Sequence, residues 1–151
     1  MANWITRLAL DADAPALAQC IDRAYAIYAD ALPDLPAVSE GIAGDIAENL
    51  VWVVELENRI IGGLVLVAGT HHLTLANVAV DPDQTGKGIG KALLDLAVSE
   101  ARRLNKVELR LSTHVQMLGN VALYTRLGWQ ETGRAGNKVH MSKPVQSAQS
   151  Q

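Results

Sequence analysis

The stretch that most constrains the chain is residues 81–94, "DPDQTGKGIGKALL", which joins an apolar run, "HHLTLANVAV", to a long helical pattern. Three glycines and two lysines at the mouth of a helix let backbone N–H groups crowd an anion. The helix starting near Gly88 also points its positive end at that anion. Two familiar phosphate loops fail on spacing. A P-loop requires Gly, four residues, then Gly-Lys-Ser/Thr, but Ala92 follows Gly90 and Lys91, and Thr85 stands where the first glycine belongs. The dinucleotide fingerprint requires G-x-G-x-x-G after an N-terminal βαβ unit, whereas the glycines here are 86, 88 and 90. A glycine-rich turn that merely joins strand to helix is the plain alternative, and the flanking sequence must decide.

With 151 residues, 49% of them apolar and 19% charged, the chain is expected to form one globular domain. It contains no Phe, so aliphatic side chains and Trp4, Trp52 and Trp129 must build the core. A net charge of −3 argues against nucleic acid as a partner. Cys20 is the only cysteine, which excludes an internal disulfide and a multi-cysteine metal site, and nothing else offers itself as a metal site. In "LAQCIDRAY" it falls on the apolar side of a helix and reads as core. No export signal and no apolar stretch of membrane-spanning length is visible, so a cytoplasmic setting without membrane contact is the expectation.

Periodicity gives the order β-α-α-β-β-β-α-β-α-β-β. "NWITRLAL" alternates as a strand, and "DADAPALAQCIDRAYAIYADAL" reads as a helix with a capping carboxylate and Pro15 in its first turn. Val38 to Glu48 can form a second short helix. "VWVVELENRIIGGLVLVAG" is a hairpin turning at residues 57–59, and "HHLTLANVAV" is its next neighbour. Gly88 to Leu104 keeps helical spacing. "KVELRLS" is a strand, "MLGNVALYTRLG" a helix ended by Gly128, and "WQETG" with "KVHMS" a closing hairpin. The class is mixed α/β, with a mostly antiparallel central sheet flanked by helices. A single domain over 1–143 and a polar, frayed tail over 144–151 are expected.

"NVAVDPDQTGKGIGKALLDLA" resembles the acetyl-CoA-binding motif of the GNAT superfamily of N-acetyltransferases, in which a strand ending in V-x-P runs into [QR]-G-x-G-x-[GA] and a helix. "LGNVALYTRLGW" resembles the family's second motif, a helix that carries a Tyr and ends in Gly-aromatic. The resemblance is specific from about Asn77 to Trp129 and topological elsewhere. It implies that Val78, Ala79 and Val80, on a strand splayed from its neighbour, bind pantetheine through their backbone. It implies that Gly86, Lys87, Gly88, Ile89 and Gly90 cradle the pyrophosphate, with Lys91 in the first helical turn. A bulky side chain at Gly88 would then enter the pyrophosphate's space while sparing the fold. Thr85 departs from the family's Gln or Arg, keeping a hydroxyl but losing reach and charge.

Tyr124 matches the tyrosine that faces the cofactor sulfur, which implies a general acid; the plain alternative is a packing tyrosine among Val121, Leu123 and Leu127. The family commonly places Asn seven residues before that Tyr, where Met117 stands here. Asn120, one helical turn before Tyr124, is expected on the pantetheine arm. No acid lies on the strand before the glycine loop, and Asn77 cannot replace one as a base. His71 and His72 titrate in the right range but fall in a turn, and solvent could take the proton instead. Glu40, Asp45, Tyr25 and Tyr28 are acceptor-pocket candidates, with solvent-facing charge the ordinary reading of the acids. Lys106, Arg102 and Arg103 read as the wet face of the long helix, and His114 and His140 carry no assignment.

The implied activity is acetyl transfer from acetyl-CoA to a primary amine, on a small molecule or a peptide, by direct transfer in a ternary complex. The reading also allows a homodimer. The alternatives are a CoA- or acyl-CoA-binding sensor of the same fold, supported by the acid-free strand and Thr85, and a nucleotide-binding protein.

Overall fold

The computed structural model describes residues 3–26, 41–114 and 118–145. Its strands are β1 (Ile5–Leu8), β2 (Leu50–Leu56), β3 (Arg59–Ala68), β4 (His72–Val80), β5 (Glu108–His114), β6 (Gln130–Ala135) and β7 (Lys138–Pro144). The helices are α1 (Ala14–Tyr25), α2 (Ile42–Glu48), α3 (Ile89–Arg103) and α4 (Leu118–Arg126). One seven-stranded sheet runs in the order β1-β2-β3-β4-β5-β7-β6. Every neighbouring pair is antiparallel except β4 and β5, which are parallel. The mixed, mostly antiparallel sheet with flanking helices is the class that the periodicity implies.

Two cores sit on opposite faces of the sheet. Ile89, Leu93, Leu94, Ala97 and Ala101 of α3 pack with Leu64, Leu66, Leu73, Leu75, Leu109 and Leu111. On the other face Leu17 and Ile21 of α1 and Ile42 of α2 cover Val51, Val53, Val65 and Ala79. Gly62 and Gly63 let both layers close on β3. A Cβ at Gly62 would meet the Ala79 carbonyl at 3.1 Å and Ile89 at 3.3 Å. A Cβ at Gly63 would run into the Leu17 side chain from the other side. The pair is therefore required by close approach rather than by a turn.

Several details differ from the reading by periodicity. The β2–β3 hairpin turns on two residues, Glu57 and Asn58, both at positive φ, and Arg59 already belongs to β3. Asp13 does not cap α1 through its side chain. Its carboxylate instead accepts from the two terminal Arg7 nitrogens, at 2.8 and 3.0 Å, and from the Leu10 N–H at 2.7 Å. Arg7 also donates to Glu55, which ties β1 to β2. Order continues past the expected start of the tail: Pro144 ends β7, and Val145 is buried with its N–H on the Val107 carbonyl. An apolar residue beside the sheet gains more from burial than a polar neighbourhood costs it.

Gly63→Ala is expected to lower stability by about 1–3 kcal/mol, because Leu17 must be displaced from a filled core. Gly44→Ala on α2, where a Cβ meets nothing within 4 Å, should leave stability unchanged or raise it by up to about 1 kcal/mol. Denaturant midpoints at constant slope distinguish the two.

Candidate active site

The site begins where two central strands part. β4 pairs with β5 only over His72, Thr74 and the residue between, against Glu108 to Arg110. Beyond that point β4 stays on β3 as far as Val80, and β5 stays on β7 as far as His114. The edges of residues 75–80 and 111–114 therefore face each other across a wedge with no ladder between them. The register of β4 against β3 skips Ala76, since Leu66 opposes Leu75 and Val65 opposes Asn77. Such a bulge bends its strand and reverses side-chain parity. Leu73 and Leu75 belong to the α3-side core before it, Val78 and Val80 pack there after it, and Ala79 lies on the α1 side.

β4 leads into a 3-10 turn, Pro82–Gln84, capped by Asp81, whose carboxylate accepts the Asp83 N–H at 2.9 Å. Asp81 is buried, with its own N–H on the Ile61 carbonyl at 2.8 Å. Arg23 of α1 reaches Asp81 at 3.1 Å and Asp83 at 2.9 Å, strapping the turn to the opposite layer. Gly86 and Gly88 both adopt left-handed φ, +82° and +84°. Gly88 is the N-cap of α3, without a side-chain cap, and its carbonyl accepts from Ala92 at 3.0 Å. The N–H groups of Ile89, Gly90 and Lys91 thus belong to the first turn, which has no carbonyls upstream in the helix. A Cβ on Gly86 or Gly88 would meet nothing within 4 Å, so the loop borders open space.

The side chains of this loop face neighbours rather than one centre. Thr85 Oγ1 donates to the Pro82 carbonyl at 3.2 Å, Lys87 Nζ to Gln84 at 2.6 Å, and Lys91 Nζ to Asp95 at 3.0 Å. Ile89 buries its side chain in the core and contributes backbone alone. Gly88 needs correction. Its positive φ means that any side chain there strains the backbone, so a bulky substitution would not spare the fold. Gly90 carries no such constraint, and a Cβ on it would meet only Val80, at 3.8 Å.

Tyr124 is held by the end of α4. The Trp129 N–H donates to the Tyr124 carbonyl at 2.9 Å and the Gly128 N–H to the Thr125 carbonyl at 3.2 Å, with Gly128 at φ +97°. This paired bonding is a Schellman closure, whose usual apolar contact is here the Tyr124–Trp129 ring pair. The rings meet edge to face with centroids 5.6 Å apart. Burial pushes the Tyr124 hydroxyl up to about 12, with the neighbouring Tyr25 on α1 adding to the rise. The phenol is therefore a proton donor across the physiological range, and its hydroxyl lies within electrostatic reach of α1. Asn120 is half-buried one turn earlier on the same helix.

The structure thus brings the end of β4, the glycine turn and the first turn of α3 together. The other candidates are scattered. His71 is exposed in the β3–β4 turn, and His72 opens β4. Asp45 accepts from the Asn49 side chain at 3.0 Å at the end of α2. Lys106 lies beyond α3 and donates to the Gly69 carbonyl at 2.7 Å, fastening the β3–β4 turn rather than lining a helix face. Cys20 is buried, and desolvation raises its thiol to about 11. Tyr28, Glu40 and Met117 lie outside the described residues. The sequence reading passed over Arg23 and Asp81, whose only signal was a buried acid at the end of an apolar strand. It also passed over the contact between Ser112 Oγ and His140 Nδ1, 2.7 Å apart across β5 and β7.

This is the arrangement of an acyltransferase fold with a parted strand pair and a glycine turn. Residues 19–129 match the model of the acetyltransferase (GNAT) family, and the chain belongs to that family. N-acetyltransferase 8B of Rattus norvegicus is 33% identical over 89 residues, which cover 55% of this chain and 40% of that protein. The [ribosomal protein bS18]-alanine N-acetyltransferase of Escherichia coli K12 is 38% identical over 58 residues, covering 38% of this chain and 39% of the relative. The match thus spans about 40% of the length of these curated relatives. Among solved structures, the PaiA N-acetyltransferase of Thermoplasma acidophilum in complex with coenzyme A superposes with a TM-score of 0.82 at 20% identity. That superposition covers 95% of this chain and 99% of the other.

The Tyr124 environment is testable by pH. Its folded pKa is raised, so the stability tied to the neutral phenol is complete below pH 10 and is lost as pH rises toward about 12. Two pKa units correspond to about 2–3 kcal/mol. Tyr124→Phe should remove that part of the alkaline slope in denaturant titrations between pH 9 and roughly 12. An unchanged slope would mean that the phenol ionises equally in both states.

Proposed function

We propose that the protein transfers an acetyl group from acetyl-CoA to a primary amine in a ternary complex. The observation that carries this reading is the wedge between β4 and β5, which ends at a glycine turn and a bare helix N-terminus. An extended amide-bearing arm requires an unpaired strand edge, and a pyrophosphate requires converging N–H groups. The parted edge of β4 supports the first, and the glycine turn with the uncapped first turn of α3 supports the second. The backbone of Val78, Ala79 and Val80 would take the pantetheine amides. The amides of Gly86, Lys87, Gly88, Ile89 and Gly90 would take the pyrophosphate, with Lys91 adding positive charge. Thr85 would have to release the Pro82 carbonyl to help, so the backbone carries this contact. Asn120 would hold the arm beside Tyr124.

A thioester supplies the activated acetyl group. As the nitrogen–carbon bond forms and the carbon–sulfur bond breaks, Tyr124 gives its phenolic proton to the departing sulfur. The proton that the nitrogen loses restores the phenol. The raised pKa keeps that proton in place until the thiolate, a stronger base than the thioester, develops. The acceptor is a primary amine on a small molecule or a peptide end. Of two named relatives, one is an N-acetyltransferase and the other is named for a ribosomal-protein alanine. The chain over residues 1–143 is proposed to fold and work as one domain.

Acetyl-CoA should raise the melting temperature by mass action, whereas ATP with magnesium and NAD should not. Gly90→Ala should weaken that shift with little loss of stability, since a Cβ there meets only Val80, at 3.8 Å. Tyr124→Phe should lower turnover about 10²–10⁴-fold while leaving the acetyl-CoA shift intact. Turnover is read as CoA release against a panel of primary amines that includes a short alanine-terminated peptide. Stabilisation by ATP and not by acetyl-CoA would sink the reading. Binding without turnover across the panel would leave a sensor.

A further inference from the structure

An amine enters such a site as an ammonium, and β4 offers no carboxylate to take its proton. We propose that Ser112 and His140 form the proton-accepting pair, resting on the transferase reading above. Ser112 and His140 are register partners on β5 and β7. Leu111, Val139 and Met141 are buried in the α3-side core. Strand alternation therefore turns Ser112 and His140 to the opposite face, the one that α1 shares. There they line a groove of about 440 Å³ together with His72, Thr74, Glu108 and Arg110. Arg110 is the last β5 residue paired with β4, so Ser112 sits two residues past the point where the wedge opens. That distance is roughly 7 Å along the strand. An acceptor in the groove would meet Ser112 just past the opening of the wedge.

The chemistry is a relay. In the tautomer with Nδ1 unprotonated, Ser112 Oγ–H donates to Nδ1 across 2.7 Å. The ammonium gives one proton to Ser112 Oγ while the serine proton passes to His140 Nδ1. An O–H bond forms on one side as another breaks, and the amine is left neutral. The imidazolium then gives a proton to water in the open groove. Imidazole is the side chain that exchanges protons most readily near neutral pH. The charged neighbours do not supply the proton acceptor themselves. Glu108 is paired with Arg110 at 3.3 Å on β5, and Glu131 with Arg134 at 2.9 Å on β6. His72 faces the groove from β4, and Lys138 lies two residues before His140 on β7. Thr132 Oγ1 donates to the His140 carbonyl at 3.3 Å, which steadies the β7 backbone under the imidazole.

The test measures kcat/KM against pH for the native protein, His140→Gln, Ser112→Ala and Ser112→Thr. The substrates are acetyl-CoA and the amine of the panel that the native protein uses best. His140→Gln and Ser112→Ala should lose about 10²-fold or more at neutral pH and recover toward native rates at alkaline pH, where the amine is already neutral. Ser112→Thr keeps the hydroxyl and should keep the native profile. All three should retain the thermal shift with acetyl-CoA. A His140→Gln profile superimposable on the native one would overturn the relay and leave the transferase reading standing. A loss uniform in pH would also overturn it, marking a packing role. Absence of native turnover with every amine would remove the transferase reading and the relay with it.

Discussion

In the middle of the sheet, β4 and β5 exchange hydrogen bonds for three residues and then separate. A buried peptide group without a partner costs about 1–3 kcal/mol, so a sheet does not part in its interior without cause. The cause here is local. Ala76 is an extra residue in β4, and the bend it imposes carries Asn77 to Val80 away from β5 while β3 follows them. The parted edges become a place where another extended, amide-bearing chain can take up the ladder. The bulge also reverses parity, so that Val78 and Val80 still face the α3-side core and the wedge does not break it.

Holding a wedge open requires both flanking layers to be pinned. Gly62 and Gly63 bring α3 and α1 close against β3 from opposite sides. Arg23 then ties the end of α1 to Asp81 and Asp83. Since Asp81 is buried and Arg23 half-exposed, this pair fixes position more than it adds stability. Its position matters because Asp81 sets the turn from which the glycines rise. The strap therefore links the α1 layer to the loop at the far end of β4.

Much of this was legible in the sequence. Element order follows from periodicity, since α3 and the apolar strands are long and regular. The glycine turn is legible because only glycine adopts left-handed φ cheaply at 86 and 88. The Gly-aromatic end of α4 is legible for the same reason, and it turns out to set the Tyr124 ring. Other features leave no local trace. Ala76 is an ordinary strand residue, and nothing within β4 marks it as a bulge. "IIGGLVL" looks like a weakened strand until both neighbouring layers are known. Arg23 lies 58 and 60 residues from its partners, and Ser112 and His140 meet only because β7 inserts between β5 and β6. Pairings of that kind depend on topology, which residue spacing does not encode.

The two sites proposed to handle protons have opposite surroundings, and the contrast is itself informative. Tyr124 is enclosed by the edge of Trp129 and the end of α4, so desolvation holds its proton on. Ser112 and His140 lie on a sheet face open to water, where a proton once taken can leave. An amine acetylation needs one group that keeps its proton until sulfur departs and another that sheds one each turnover. Two groups in such different surroundings could divide those roles without a carboxylate. On this argument the acid-free β4 is no deficit. A carboxylate placed there would lie against the edge proposed to bind the arm and add negative charge close to the thiolate that the proposed reaction must release.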